Sequence, residues 1–317
     1  MSAVLAQIRR ARADLLLLSL VPLTWTYLAR SLRWQYLLEP IGRARFKVVF
    51  RATVIGFAAM ALLPARLGDL LRPYLLARRE GFPVVSTLAT IVMERVLDLV
   101  AVLVLLALYV FALGGREAMP SHLLRPVEAS AAVAGAAAVV LLGIMWTLAT
   151  HPERIAQLVL RSERVLPARL AHALSRLART FSEGFAVARE VRALTLAAIW
   201  SFPVWLGIAG HAWLVTTAFG IAMPFAGTFL LQALLVIGVA MPTPGAVGGY
   251  HAMYRLGVTA FFGASNDAAI GAALVAHASS LAPVVLAGVV FMIQDGLSLT
   301  GLQQMAGAAR REEGAVP

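Results

Sequence analysis

The chain has 317 residues, of which 60% are hydrophobic and only 14% carry a charge. Its mean hydropathy of +0.82 excludes an ordinary soluble domain and predicts a multi-pass membrane protein. The absence of cysteine excludes disulfides, thiolate metal sites and cysteine nucleophiles. The net charge of +11 comes mostly from arginine outside the apolar segments, which favours contact with anionic lipid headgroups over nucleic acid.

Seven apolar segments follow one another along the chain, most of them close to the ~20 residues that cross a bilayer. Their predicted bounds are 14–29, 46–63, 84–113, 127–149, 193–219, 225–242 and 268–293. An aromatic anchor at the membrane interface is predicted near the end of the first segment, formed by Trp25, Tyr27, Trp34 and Tyr36. The fourth segment is rich in alanine and glycine around 131–136, which predicts close helix–helix packing. Residues 250–263 are predicted to form a short helix.

The domain organisation is predicted to be a single integral membrane domain over 1–317, with two halves at 14–149 and 193–293. A polar insert at 150–192 separates the halves, and a polar tail follows at 294–317. Leucine and phenylalanine recur at helical spacing within the insert, with arginines on other faces. This pattern predicts a basic amphipathic helix on the cytoplasmic membrane surface. A solvated linker explains the same composition equally well.

Proline and glycine interrupt two of the apolar regions, first at Leu62–Pro73 and again at Met241–His251. Lipid cannot hydrogen-bond a freed backbone, so a broken helix at membrane depth must lie against protein or a water-filled cavity. The segments beside the first break, 30–51 and 72–79, are basic, whereas those beside the second are nearly uncharged. The positive-inside rule therefore predicts two oppositely oriented re-entrant hairpins, related as an inverted repeat, within an all-α transmembrane helical bundle.

The residues after the first break form a candidate anion site that contains Arg66, Asp69 and Arg72. If helical, these positions fall within an arc of roughly 120° on one side. Pro64 suits the first turn of that helix, whose free N–H groups and positive dipole end favour a phosphate or carboxylate. Asp69 is expected to hold one arginine in place or to limit the net positive field. Alternatively, these charges lie at the cytoplasmic surface and pair with one another or with lipid phosphates.

Three ionisable residues, Glu94, Arg95 and Asp98, lie within the third apolar segment. Glu94 and Asp98 continue a polar stripe begun by two threonines, and this stripe is expected to face the bundle interior or water. Arg95 and Asp98, at i and i+3, can pair, and Glu94 is then expected to meet an arginine of the first site. Each such group costs about 2.5–3.5 kcal/mol to insert, which favours a functional role. A salt-bridge network that only fixes helix packing is the alternative.

The second break forms another candidate anion site, because its backbone can turn tightly and its N–H groups can converge on an anion. The residues that permit this turn are Pro242, Pro244, Gly245, Gly248 and Gly249. Tyr250 adds a hydroxyl, and His251 can exchange protons near neutral pH. The alternative is a helix kink with a satisfied histidine. His211 and His277, which lie in apolar segments, are interpreted as packing residues rather than ligands, and as candidates to line a cavity.

No GxxxxGK[ST] phosphate loop, Ser/His/Asp arrangement or metal-ligand spacing occurs in the sequence, so no catalytic residue, metal or cofactor is predicted. Three blocks resemble the flippase-like family that includes the lysylphosphatidylglycerol synthase transmembrane region. They read Leu63-Pro64-x-Arg66-x-Gly68-Asp69-x-x-Arg72, Glu94-Arg95-Val96-Leu97-Asp98 and Pro242-Thr243-Pro244-Gly245-x-x-Gly248. The family pattern usually has Glu at Asp69, Gly at Ala246 and an acidic residue at His251.

The resemblance implies that the chain moves a lipid or lipid-linked glycan between the leaflets of the bacterial inner membrane. Its expected partners are membrane lipids with an anionic headgroup or a lipid-linked phosphate. The chain ends at Pro317 without the soluble aminoacyltransferase domain of full-length synthases, so it is not expected to be an enzyme. One alternative is a membrane-embedded transferase acting on a polyprenyl-phosphate or lipid substrate, with Glu94 or Asp98 as base. Another is a non-catalytic scaffold that organises lipid-modifying enzymes through the insert.

Overall fold

The computed structural model describes residues 2–63, 67–151, 153–154, 157, 185–240 and 243–297, and every regular element in these ranges is helical. The predicted all-α class is therefore confirmed. The α-helices, numbered in chain order, are α1 Ser2–Arg10, α2 Ala13–Leu18, α3 Leu20–Leu38, α4 Phe46–Leu62, α5 Gly68–Glu80, α6 Val84–Ala112, α7 Gly115–Ala118, α8 Ser121–Thr150, α9 Val191–Ala218, α10 Gly227–Ala240, α11 Gly249–Phe262 and α12 Asn266–Gln294. Two short 3-10 turns lie at Ala186–Arg189 and Pro244–Ala246.

Five helical stretches among the described residues are long and apolar enough to cross a bilayer, and they match five of the seven predicted segments. These stretches are Ala13–Leu38, Val84–Ala112, Ser121–Thr150, Val191–Ala218 and Asn266–Gln294. The other two predicted segments form α4, with 17 residues, and α10, with 14 residues. At a rise of about 1.5 Å per residue, α4 is about 26 Å long and α10 about 21 Å. Both are shorter than the ~30 Å hydrocarbon core, and each is followed by a short helix rather than by a long one.

The first of these short pairs, α4 and α5, is an antiparallel helical hairpin that packs on two glycines. A Cβ on Gly56 would come within 2.6 Å of the Arg72 Cβ, and one on Gly68 within 2.6 Å of the Met60 backbone nitrogen. No larger residue allows the two backbones to approach so closely. The hairpin therefore holds Arg72 directly against α4.

The start of α5 differs from its predicted position. The helix begins at Gly68 and continues through Pro73, whereas the sequence predicts a start at Pro64 and a break as far as Pro73. Asp69 and Arg72 therefore share one helix, as predicted. Pro64 and Arg66 lie outside the described residues.

The second short pair, α10 and α11, forms a similar antiparallel hairpin. Gly238 lies directly against the Gly249 carbonyl, and a Cβ on Gly257 would come within 2.8 Å of Leu231. Between the helices, Gly245 and Gly248 have positive φ angles of 57° and 92°, in agreement with the predicted tight turn. The extent of α11 confirms the short helix predicted at 250–263.

The tips of the two hairpins meet. A Cβ on Gly245 would lie 3.9 Å from the carbonyl oxygen of Ala61, near the end of α4. Further along α4, Ala58 lies directly against Gly288 of α12. The hairpin of the first half is thus packed on the last long helix of the second half. The re-entrant course of the hairpins, the inverted repeat and the division into halves stay predictions.

Two sequence predictions about individual segments are wrong. The first apolar helix does not end at 29, since α3 continues to Leu38. Trp34 of this helix is completely buried, and its indole N–H donates a 2.8 Å hydrogen bond to Thr90. Trp34 is therefore a core residue and not part of an interface anchor. The prediction of close packing is also wrong for Gly135 of α8, where a Cβ would meet nothing within 4 Å in the described structure, whereas Ala131 of the same segment packs against the core. The predicted amphipathic helix at 150–192 lies largely outside the described residues.

Candidate functional site

The polar stripe of α6 faces the bundle interior, as its helical spacing predicts. Thr87, Thr90, Glu94 and Asp98 are all buried. Helices α3, α5 and α9 pack against this face of α6. They bring arginine and tryptophan side chains to the two carboxylates and so form a charge cluster, which consists of Arg30, Arg33, Asp69, Arg72, Glu94, Arg95 and Asp98.

Glu94 lies at the centre of the charge cluster. Arg72 Nη1 donates a 2.8 Å hydrogen bond to Glu94 Oε1, and the same oxygen lies 3.2 Å from Arg33 Nη2 and 3.8 Å from Arg30 Nη1. The guanidinium of Arg72 also stacks over Trp34, with its Cζ 4.0 Å from the ring centroid. The expectation that Glu94 meets an arginine of the first site is confirmed for Arg72.

Asp98 lies one turn further along α6 and accepts two hydrogen bonds, one from a guanidinium and one from an indole N–H. Arg33 Nη1 donates to Asp98 Oδ1 at 2.6 Å, and Trp205 Nε1 donates to the same oxygen at 2.9 Å. Arg30 and Arg95 approach Oδ2 at 3.7 Å each. The predicted proximity of Arg95 to Asp98 is confirmed. However, the shortest ion pair of Arg95 is with another residue.

Asp69 and Arg95 form the accessible end of the charge cluster. Arg95 Nη2 donates a 2.8 Å hydrogen bond to Asp69 Oδ1, and the two side chains are 43% and 33% exposed. Asp69 thus holds an arginine in place, as expected, but the arginine comes from α6 and not from its own helix. Asp69 and Arg72 also line a crevice beside α4 that is too narrow to admit a water molecule.

The charge cluster contains more positive charge and more hydrogen-bond donors than its own carboxylates use. Its four arginines face three carboxylates, so one positive charge is left over. Arg33 Nε, Arg72 Nε and Arg72 Nη2 are buried without a hydrogen bond to any described residue, and so is one acceptor, Glu94 Oε2. Arg30 Nη1 and Arg33 Nη2 also lack a hydrogen bond, but they lie within 3.2–3.8 Å of a carboxylate oxygen. Buried charged donors without acceptors carry a desolvation penalty. This arrangement therefore suits one additional anion.

Three residues in or beside the charge cluster, Arg30, Arg33 and Trp205, are not identified by the sequence patterns. Arg30 and Arg33 belong to the basic segment 30–51 that is predicted to flank the first break at the membrane surface. That prediction is wrong for these two residues, because both are buried beside Glu94 and Asp98. The signal that could have found them is their i, i+3 spacing on a helix that continues past the first charge. Trp205 carries no charge and lies within an apolar segment, so no sequence pattern distinguishes it.

The second break contains a histidine pair. The Gly248 N–H donates to His251 Nδ1 at 3.3 Å, and His251 Nε2 lies 3.3 Å from His277 Nδ1. Since His251 Nδ1 is an acceptor, the neutral ring carries its proton on Nε2 and donates it to His277. Tyr250 stacks on His277 with ring centroids 4.5 Å apart. His277 thus contacts two residues of the second break and is not only a packing residue.

The remaining predicted residues are His211 and two prolines of the second break. His211 lies between the carbonyl oxygens of Ser19 and Ala276 at 3.2 and 3.3 Å, which agrees with a packing role. Pro242 and the side chain of Pro244 lie outside the described structure. No hydrogen bond or ion pair between described residues joins the charge cluster to the second break, and no described group of three acidic or histidine side chains could hold a metal ion.

A comparison with protein families finds one matching family model. It is described as the lysylphosphatidylglycerol synthase TM region, and it matches residues 1–288. The match therefore includes the charge cluster, both hairpins and most of α12. No curated protein and no solved structure matches the chain.

Proposed function

Because the chain belongs to the lysylphosphatidylglycerol synthase TM region family, we propose that it moves an anionic or phosphate-bearing lipid, or a lipid-linked glycan, between leaflets. The membrane is the bacterial inner membrane, and the partners are the lipids themselves. The proposal gives the chain a transport role, and the family match concerns the TM region of the synthase alone.

The observation that carries this proposal is the surplus of buried arginine donors in the charge cluster. A lipid phosphate has several acceptor oxygens, and arginine binds phosphate through parallel hydrogen bonds. The buried guanidinium nitrogens that have neither a hydrogen bond nor a carboxylate oxygen within 4 Å belong to Arg33 and Arg72. A headgroup phosphate bound to them would neutralise the leftover positive charge. Ionisable residues inside transmembrane segments generally mark substrate pathways.

The α4–α5 hairpin is the moving part in this mechanism. Arg72 is carried by α5, whereas its partner Glu94 is carried by α6, so a shift of the hairpin changes the distance between them. The headgroup enters beside Asp69 and Arg95, where the cluster is exposed, and takes over arginine donors from the carboxylates. Glu94 and Asp98 keep the arginines charged and oriented when no lipid is bound.

The second break serves the other side of the path. Gly245 and Gly249 supply backbone N–H groups, with Tyr250 and His251 beside them, at the tip of the opposite hairpin. This tip approaches Ala61 at the end of α4. A headgroup released from the charge cluster therefore has a second set of donors within reach of the same hairpin.

The test is leaflet exchange of labelled lipids in liposomes that contain the purified chain. Phosphatidylglycerol, an aminoacylated cationic lipid and a polyprenyl phosphate are compared, with and without a pH gradient. We expect selective exchange of a phosphate-bearing lipid, and loss of that exchange in Arg72→Gln. The charge-balanced double variant Arg72→Gln, Glu94→Gln separates the loss of a phosphate donor from the loss of charge balance.

The matched control is Arg12→Gln, because Arg12 forms an ion pair of similar length with Asp14 on the exposed surface. Exchange in this variant is expected to equal that of the unmodified chain. If folded Arg72→Gln retains full exchange, the charge cluster does not carry the headgroup. If no lipid is exchanged by folded, unmodified protein, the transport proposal itself is wrong.

A further inference from the structure

A second polar stripe lies on α11. His251, Arg255 and Thr259 follow one another at i, i+4 and i+8, so they share one face of the helix. Arg255 is the only Asp, Glu, Lys or Arg between Arg192 and Asp267 in the sequence. A single charge retained in so long an apolar region indicates a specific partner.

This stripe lines a cavity of about 470 Å³ between α11 and α12. The opposite wall is apolar and comes from Ile270, Ala273 and Leu274 of α12. Small-molecule sites typically have volumes of about 300–1,000 Å³, with apolar walls and a few polar groups. The cavity has this character, with its polar groups along one side only.

The three polar side chains differ in what remains available to a ligand. Thr259 donates its hydroxyl to the Arg255 carbonyl at 2.8 Å. His251 uses both ring nitrogens, one for Gly248 and the other for His277. Arg255, in contrast, forms no ion pair with any described carboxylate. Its guanidinium is therefore the group of this cavity that can bind an anion.

The rim of the cavity indicates where the ligand comes from. Leu256 and Leu274, which line the cavity, are 45% and 43% exposed. Exposed leucines beside a helix of bilayer length contact acyl chains more favourably than water. Leu274 lies eight residues from the start of α12, or about 12 Å along the helix. An arginine at this level can extend its guanidinium to the phosphate layer of the membrane.

We propose that this cavity binds one phospholipid, with the phosphate on Arg255 and an acyl chain against Ile270, Ala273 and Leu274. The assignment of a lipid as the ligand rests on the proposed function. The cavity and the position of Arg255 in it are independent of that function. The site is distinct from the charge cluster, since its residues come from α11 and α12 alone. It provides a binding place on the second hairpin for a lipid before or after its passage.

Binding is tested by native mass spectrometry of the purified full chain in detergent micelles. The probes are dioleoylphosphatidylglycerol, dioleoylglycerol, which has the same acyl chains without a phosphate, and inorganic phosphate. Arg255→Gln is expected to weaken retention of phosphatidylglycerol by about 10- to 100-fold, the range for loss of one hydrogen bond to a charged group. Retention of dioleoylglycerol is expected to stay unchanged. Arg125→Gln, at an exposed position of α8, is the matched control and is expected to bind like the unmodified chain.

A second variant tests the apolar part of the cavity. Ala252 lines the cavity but is exposed, so Ala252→Leu reduces the cavity volume without disturbing the core. We expect it to weaken retention of both dioleoyl lipids. Thermal unfolding of each variant confirms that it is folded.

Two results would overturn the inference. One is equal phosphatidylglycerol retention by Arg255→Gln and Arg125→Gln. The other is competition by inorganic phosphate at a similar concentration, which would identify a site for a soluble anion. If the chain exchanges no lipid between leaflets but still binds phosphatidylglycerol through Arg255, the transport proposal is wrong and the lipid site is supported. Loss of the Arg255-dependent binding in Arg72→Gln would show that the two sites are one.

Discussion

Neutralising the central carboxylate of the charge cluster, with Glu94→Gln, is expected to destabilise the protein strongly. Glu94 Oε1 is 2.8 Å from Arg72 Nη1 and 3.2 Å from Arg33 Nη2. At an effective dielectric constant of about 20, these contacts correspond to Coulomb energies of about 6 and 5 kcal/mol. Desolvation of the buried groups offsets much of this attraction. Removing one partner of a buried pair consequently costs about 3–5 kcal/mol.

The double variant Arg72→Gln, Glu94→Gln is expected to be less destabilised than the sum of its two single variants. In the double variant the surplus is again one positive charge, whereas Glu94→Gln alone leaves three buried arginines around an uncharged amide. Contacting residues of this kind show coupling energies of about 0.5–3 kcal/mol. We expect the upper part of that range, since Arg72 donates the shortest hydrogen bond to Glu94.

The assay is unfolding by SDS titration in mixed micelles, followed by tryptophan fluorescence and circular dichroism. The control is the exposed pair Arg12–Asp14, whose 2.7 Å contact is as short but whose side chains are 64% and 63% exposed. Arg12→Gln is expected to leave the unfolding midpoint unchanged. If Glu94→Gln is as stable as this control, or if the two single effects add fully in the double variant, the buried charges do not stabilise the protein as a coupled network.

Further predictions concern backbone strain, glycine packing and an indole donor, all measured by the same titration. Ala246→Gly is expected to raise the free energy of unfolding by about 1 kcal/mol, because Ala246 has a φ of 58°, which disfavours a residue with a Cβ. Gly68→Ala is expected to lower it by about 1–3 kcal/mol through overpacking against α4. Gly135→Ala, where a Cβ would meet nothing within 4 Å, is expected to raise the free energy of unfolding by about 1 kcal/mol. Equal effects of Gly68→Ala and Gly135→Ala would contradict the packing of the α4–α5 hairpin. Trp205→Phe removes the indole donor to Asp98 and is expected to cost about 1.5–3 kcal/mol; no loss of stability would show that this contact is dispensable.

Several features of the candidate site follow from local sequence patterns. The polar stripe of α6 has helical spacing, and polar groups on a membrane helix must turn away from lipid. The two breaks contain proline and glycine, which disfavour a continuous helix, so their approximate positions are visible in the sequence. The meeting of Glu94 with an arginine near the first break was also predictable, because buried charges require partners.

Composition and hydrophobic pattern alone indicate an all-helical multi-pass chain with two interrupted regions and ionisable residues inside its apolar segments. Local composition and period are enough for this, because the bilayer imposes the same length and polarity on every spanning helix. The burial of Arg30 and Arg33 beside Glu94 and Asp98, and the contact of His277 with His251, follow from the tertiary structure. These contacts join different helices, and their geometry depends on which helix faces pack together. No spacing within a single segment contains that information.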